Sequence, residues 1–253
     1  MGNFVRVNIT SVKDICDITQ NVIGKYVFRG QEFQGWYLFP KQEREFSKEE
    51  VKAYNKKVLD DFNKVFPSSL EGIKGQAFAE FLLKKHEQGD DLKLLDFTKS
   101  FLVAVYFAIK DRSVSKSAVY AVSIAGVLSN FFYELTNESK REYHISEVEK
   151  YGRIKLYDYC SNNKTGIFYL EPDKNHSNSK YQQTVYLLNS STDKNFSVSC
   201  GFDKYTDKSV SEFLKINSAF TIVKFIISSE LKDDILDYLN FVNINDNTLM
   251  IEN

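Results

Sequence analysis

The sequence predicts an α+β fold, a single domain whose N-terminal helices pack on a mixed or antiparallel sheet. Three observations predict it. Helical periodicity with capping signals dominates between residues 47 and 109. Short runs of β-branched and aromatic residues dominate from 118 onward. Neither an internal repeat nor a linker-like low-complexity stretch divides the chain. Residues 1–253 are therefore expected to form one unit, with core motifs in 25–110 and a sheet-rich part over 118–250.

Residues 4–30 read as a short strand, a polar helix-like turn around SVKDICDIT and a second strand, KYVF. QEFQGWYLFP, aromatic and punctuated by glycine, fits a loop leading to a helix start. Ser47 followed three positions on by Glu50 is a capping box, in which hydroxyl and carboxylate satisfy N–H groups that a helix start leaves open. Behind it Val51, Tyr54, Val58, Phe62 and Val65 recur on one helical face. Pro67 and the glycines at 72 and 75 are expected to break that helix, and Phe78, Phe81 and Leu82 mark a second that ends at Gly89. LKLLDFT is strand-like, and SFLVAVYFAIK, apolar on nearly every side, predicts a helix buried all round. AVYAVSI, TGIFYLE, TVYLL and FTIVKFII are the late strands, while the polar stretch 189–212 reads as a long surface loop or irregular insertion. SSELKDDILDYL closes the chain as a helix, with serines to cap it, carboxylates in its early turns and Leu231, Ile235, Leu236 and Leu239 on one face.

Composition excludes several function classes. An apolar content of 43% over 253 residues can build a real core, so disorder is not expected. Thirty-three basic and 34 acidic residues leave a net charge of −1, which gives no bulk attraction to nucleic acid or anionic lipid. Cys16, Cys160 and Cys200 are odd in number and lack CxxC spacing, which predicts reduced thiols in a cytoplasmic protein. No run approaches a membrane span, the N-terminus lacks a signal pattern, and Arg6 stands where a myristoylation signal wants Ser or Thr. His86, His144 and His176 sit far apart without metal-ligand spacing. Neither a GxSxG elbow nor a GxGxxG or Walker A loop is present.

One residue stands out against this background. Arg29, in KYVFRGQ, sits at a strand end next to glycine. A guanidinium is permanently charged and offers five donors in a flat fork, so a fold must pair it or present it to a ligand.

The stretch around Arg29 resembles the FRG domain family, named for the phenylalanine, arginine and glycine seen here as Phe28, Arg29 and Gly30. Three further segments agree in order. WYLFPKQER supplies Trp36, Leu38, Pro40 and Arg44; KHEQGDDLKLLDFTKSFLVAVYFA supplies the central Leu-Leu-Asp-aromatic-Thr element; and KFIISSELKDDILDYLNFVNINDNTLM supplies the C-terminal strand and helix. Two positions depart from the family pattern. Glu87 stands where the family has a histidine, and the later Arg-then-Gln-x-Gly segment is reduced to Asn178, Gln182 and Thr184.

The order Arg29, then Asp96 and Thr98, then Gln182 is similar to the ADP-ribosyltransferase plan, in which an arginine holds a phosphate of NAD and a late-strand acid or amide orients the ribose. The resemblance thus implies NAD as a possible substrate, with Arg29, Arg44, Lys93 and Asp96 as substrate-binding candidates and Thr98 and Gln182 as catalytic candidates. Lys93 occupies the family's arginine position and is the candidate for a second phosphate contact. A glutamine cannot accept a proton, so transfer to a weak nucleophile would lack a base.

Each candidate also has a purely structural reading. Arg29 and Asp96 could form an ion pair between strands. Thr98 could cap the following helix, Gln182 and Gln183 could be surface amides, His86 could be solvated, and Trp36, Tyr37 and Phe39 could pack in the core rather than stack on a base. A competing functional expectation is a phage-defence protein acting on RNA or a phage component, or a non-enzymatic interaction module. RNA binding would require Lys84, Lys85, Lys93 and Arg44 to form a basic patch.

Overall fold

A computed structural model describes residues 4–67, 71–112, 115–139, 143–172, 181–194, 196, 205–215 and 222–249. His176, Asn178 and Cys200 lie outside the described residues.

In chain order the first half consists of β1 (Phe4–Ile9), α1 (Val12–Val22), β2 (Tyr26–Gln31), α2 (Lys41–Glu45), α3 (Lys48–Val65), α4 (Glu71–Glu87), β3 (Leu94–Thr98) and α5 (Phe101–Ile109). The second half consists of β4 (Ser117–Ser123), α6 (Ile124–Ser139), α7 (Ile145–Ser161), β5 (Ile167–Leu170), β6 (Thr184–Asn189), β7 (Tyr205–Lys208), α8 (Val210–Leu214) and β8 (Ile222–Ile227). A 3₁₀ turn, Ser229–Leu231, then leads into α9 (Lys232–Phe241) and α10 (Asp246–Leu249). The eight strands form one sheet in the order β5-β6-β3-β2-β4-β8-β1-β7. It is mixed: β1 runs parallel to β7 and β8, and the other neighbours are antiparallel.

Helices cover both faces. On one, α1, α5 and α9 pack on Val5, Val7, Phe28, Val119 and Phe225; on the other, α3, α4, α6 and α7 pack on Val27, Tyr120, Val122, Leu95 and Leu187. The sidedness follows from strand periodicity, since alternate residues such as Val27 and Phe28 enter opposite cores.

The Ser47–Glu50 capping box forms in full at the start of α3, and α5 is buried along most of its length. Two local readings are corrected. Residues 124–139 and 145–161 fold as the helices α6 and α7 between the late strands; Val127, Leu128, Phe131 and Leu135, all buried, carry the helical spacing that the strand-rich flanks obscured. Gly72 and Gly75 lie inside α4 rather than before it. Gly75 is there for close packing, because a Cβ on it would come within 2.0 Å of the Ile154 carbonyl on α7.

One irregularity interrupts the sheet near its middle. β2 pairs along its length with β4, but with β3 it pairs in register only at Phe28↔Thr98. Beyond that point the two strands part. Gly30 holds β2 tight on α5 at the split, where an added Cβ would lie 2.0 Å from the Ala104 carbonyl and 2.7 Å from the Ala108 nitrogen. Both neighbours are backbone and cannot yield as a side chain would. Gly30→Ala is therefore expected to cost about 3 kcal/mol, the upper part of the usual overpacking range. Thermal denaturation should show a fall of roughly 6–12 °C; an unchanged midpoint would mean that β2 and α5 separate freely.

Candidate functional site

The gap between β2 and β3 is a cleft of about 780 Å³, a size that accommodates a small-molecule ligand. Its walls are Arg29 and Gln31 from β2, Asp96 and Thr98 from β3, and Thr184 and Tyr186 from β6; Ala104 and Phe107 of α5 form part of its lining. The loop 32–40 contributes Trp36, Tyr37 and Phe39, and α2 contributes Arg44.

Arg29 stretches across the gap. Its Nη1 donates to the Asp96 carbonyl oxygen at 2.7 Å and lies 3.6 Å from the Asp96 carboxylate. Among the described residues it makes no other hydrogen bond, and its Nε is buried without a partner. The side chain is 24% exposed, and its guanidinium is not fully matched. Enclosure by the protein lowers its pKa from the usual arginine range, Asp96 works against that, and the nearby charge of Arg44 lowers it further. It remains a cation.

Asp96 is the exposed end of a second contact. Its Oδ1 lies 3.0 Å from Nε2 of His86, at the end of α4. The Nδ1 of His86 is buried and unpaired. An N–H there would have no acceptor, so Nε2 is the nitrogen that carries hydrogen and donates it to Asp96. The ring packs edge-on against Tyr186, with centroids 4.9 Å apart. Enclosure raises the Asp96 pKa, but the hydrogen bond from His86 and the charge of Arg29 outweigh it and hold the carboxyl below the usual range. The cleft thus presents an anion and a cation side by side.

Thr98 is engaged by backbone. Its hydroxyl donates to the Gln182 carbonyl at 2.6 Å and accepts from the Ser100 amide at 3.0 Å, while Ser100 caps α5 through the Val103 amide. Gln182 borders the cleft with its amide donating to the Leu249 carbonyl at 3.0 Å. Gln183, exposed and left-handed at φ +50°, makes the turn that brings Gln182 there. Trp36 and Tyr37 are exposed, at 49% and 62%, and Leu38 is the residue of that loop that enters the core.

Lys93 is placed elsewhere. It is 4% exposed, bonds to the Ser191 carbonyl and pairs with Glu43 at 3.5 Å. Burial lowers the Lys93 pKa and raises that of Glu43. The second cation at the cleft is Arg44, which is exposed and has no carboxylate partner among the described residues. Sequence reasoning also missed His86 and Gln31. His86 is half-buried against Asp96 rather than solvated. Gln31 follows Arg29 by two strand positions and so shares its face, a signal the sequence did contain.

No group of three or more His, Cys, Asp or Glu side chains among the described residues converges to hold a metal ion. None of the described helices is long and apolar enough to cross a membrane. The family model of the FRG domain matches residues 24–117. That span carries every residue lining the cleft except Gln182, Thr184 and Tyr186. No curated protein and no solved structure matches the chain.

Two predictions separate the scaffold from the site. Lys93→Met should cost ~3–5 kcal/mol by stranding Glu43, and adding Glu43→Leu should recover part of the loss; urea denaturation of the two variants checks it, and equal stabilities would show that the pair is not coupled. The second concerns Asp96, whose pKa folding lowers. Its contribution to stability is present above the unfolded value of ~3.9 and is lost as pH falls through the folded value. The deficit in melting temperature of Asp96→Asn against wild type should therefore be larger at pH 6 than at pH 3, and a deficit independent of pH would count against the His86 and Arg29 contacts.

Proposed function

We propose, from the premise that this chain belongs to the FRG domain family through residues 24–117, that its cleft binds a phosphorylated nucleotide and that NAD is the substrate of an ADP-ribosyltransferase-like reaction there. The observation that carries this reading is the half-satisfied guanidinium of Arg29. Asp96 holds one end of the fork, and the edge bearing the unpaired Nε is left for a ligand. That edge suits the bidentate geometry of phosphate oxygens. Arg44 adds a second charge for a diphosphate, and the exposed rings of Trp36 and Tyr37 offer faces on which a base can stack.

The chemistry such a cleft supports is cleavage of the bond between ribose and nicotinamide. The leaving nitrogen takes both electrons and departs neutral, while positive charge develops on the ribose carbon. An ionised carboxylate held in place before the reaction stabilises that charge, and Asp96, kept ionised by His86 and Arg29, has that character. Thr98, with its hydroxyl held by backbone groups, fits a bracing role, and Gln182 fits orientation of the ribose.

A small nucleotide suits the site better than an RNA strand. Of the four basic residues a strand would need, Lys85 is bound to Asp90 and Lys93 to Glu43.

A thermal-shift titration tests the reading. NAD or ADP-ribose at ~100 times its dissociation constant adds ~2.7 kcal/mol, a rise of roughly 5–11 °C for a chain of this size. Arg29→Lys, which keeps the charge and loses the fork, should weaken the dissociation constant about tenfold. The absence of any shift with NAD, ADP-ribose or mononucleotides would overturn the proposal.

A further inference from the structure

Two residues that line the cleft each carry a buried polar atom without a partner, Arg29 Nε and Gln31 Oε1. They are opposite in character. The first is a donor and suits phosphate, whereas the second is an acceptor, to which a phosphate dianion has no proton to give.

The orientation of the Gln31 amide is fixed. Its Nε2 donates to the Tyr37 carbonyl at 3.2 Å. Flipping the amide would set oxygen against oxygen there, so Oε1 must be the atom left over. Gln31 is 8% exposed, and water from the bulk has little access to it. On the strand it stands about 7 Å from Arg29 on the same face, comparable with the span from phosphate to ring within one nucleotide. Its surroundings suit a ring, because the loop that Nε2 holds also sets Trp36 and Tyr37 at the cleft. Ribose hydroxyls have a better acceptor available in the exposed carboxylate of Asp96.

Resting on the nucleotide reading above, we propose that Gln31 selects the ring end of the ligand. Its Oε1 accepts a hydrogen bond from an NH₂ group carried by an aromatic ring. Two sources share that chemistry, the exocyclic amine of an aminopurine and the carboxamide of nicotinamide. In either case Gln31 is a specificity-determining residue, and a ring bearing oxygen in place of the NH₂ would bury two acceptors against each other.

Calorimetric titration of the full chain with two ligand pairs tests the assignment. AMP against inosine monophosphate changes the purine amine to an oxo group; NAD against its deamidated form changes the carboxamide to a carboxylate. Wild type should prefer the NH₂ member of one pair by about tenfold, and which pair shows the preference identifies the source. Gln31→Met should bring that ratio near one and leave the affinity for inorganic pyrophosphate unchanged. Equal wild-type affinities within both pairs would overturn the assignment alone, as would a ratio that survives in Gln31→Met. The wild-type comparison stands whether or not the variant folds. Failure of every nucleotide to bind folded wild type would overturn the nucleotide reading itself, and this assignment with it.

Discussion

The hydrogen bond from Arg29 to the Asp96 carbonyl is the contact on which the cleft depends. A sheet that splits in its middle exposes the backbone groups of two strand edges, and such edges bind other strands unless they are covered or occupied. Here one side chain bridges the split. It satisfies a carbonyl that β2 would otherwise bond and draws the Asp96 carboxylate toward a cation. Bridging with one nitrogen also leaves the buried Nε without a partner. The same contact keeps the site in shape and leaves it incomplete.

The three motif residues divide the work by strand alternation and size. Phe28 enters the core against Phe101 of α5, with ring centroids 5.4 Å apart. Arg29 faces the other way, and Gly30 lets α5 approach where any Cβ would strike backbone. Above them, the loop 32–40 has no regular structure of its own and is fastened by side chains from the sheet. Tyr120 donates its hydroxyl to the Trp36 carbonyl, Lys224 its ammonium to the Gln34 carbonyl and Ser117 its hydroxyl to the Glu32 carbonyl. Tyr120 and Lys224 are register neighbours of Arg29 across β4 and β8, so one transverse row both lines the cleft and ties down its cover. Burial and the neighbouring Arg6 bring the Lys224 pKa down to about 8, a sign of how much desolvation that fastening tolerates.

Much of the fold was legible because local signals agreed with it. The Ser47 and Glu50 pair announces α3, the apolar run after Ser100 announces a buried α5, and alternation in KYVF places Arg29 opposite Phe28. α6 and α7 were hidden because their apolar stripes sit between stretches rich in β-branched residues, and composition outweighed period. At the site, sequence order brought Arg29, Arg44, Asp96, Thr98 and Gln182 to one cleft. It could not supply His86, whose meeting with Asp96 depends on how the turn after α4 folds back, a tertiary fact without a local pattern. Nor could order along the chain show that the Thr98 hydroxyl would be held by backbone from both sides.

Lys93 and Arg29 show by contrast how a partly matched cation differs from a closed ion pair. Both flank or belong to the strands of the gap, and both lie near a carboxylate. Lys93 is sealed, its carboxylate partner Glu43 is nearly as buried, and its amine also bonds a carbonyl. Desolvation there works on both partners at once and is offset by their pairing, the behaviour of a closed pair that binds elements together. Around Arg29 the match is unequal. Its partner is 57% exposed and already engaged by His86, a second cation approaches from α2, and one donor is left buried with nothing to bond. A buried donor with nothing to bond is an arrangement relieved by an added acceptor. The family resemblance gave Arg29 as the principal candidate and Lys93 as a second contact; burial and pairing close Lys93 off and leave Arg29 with an unpaired donor.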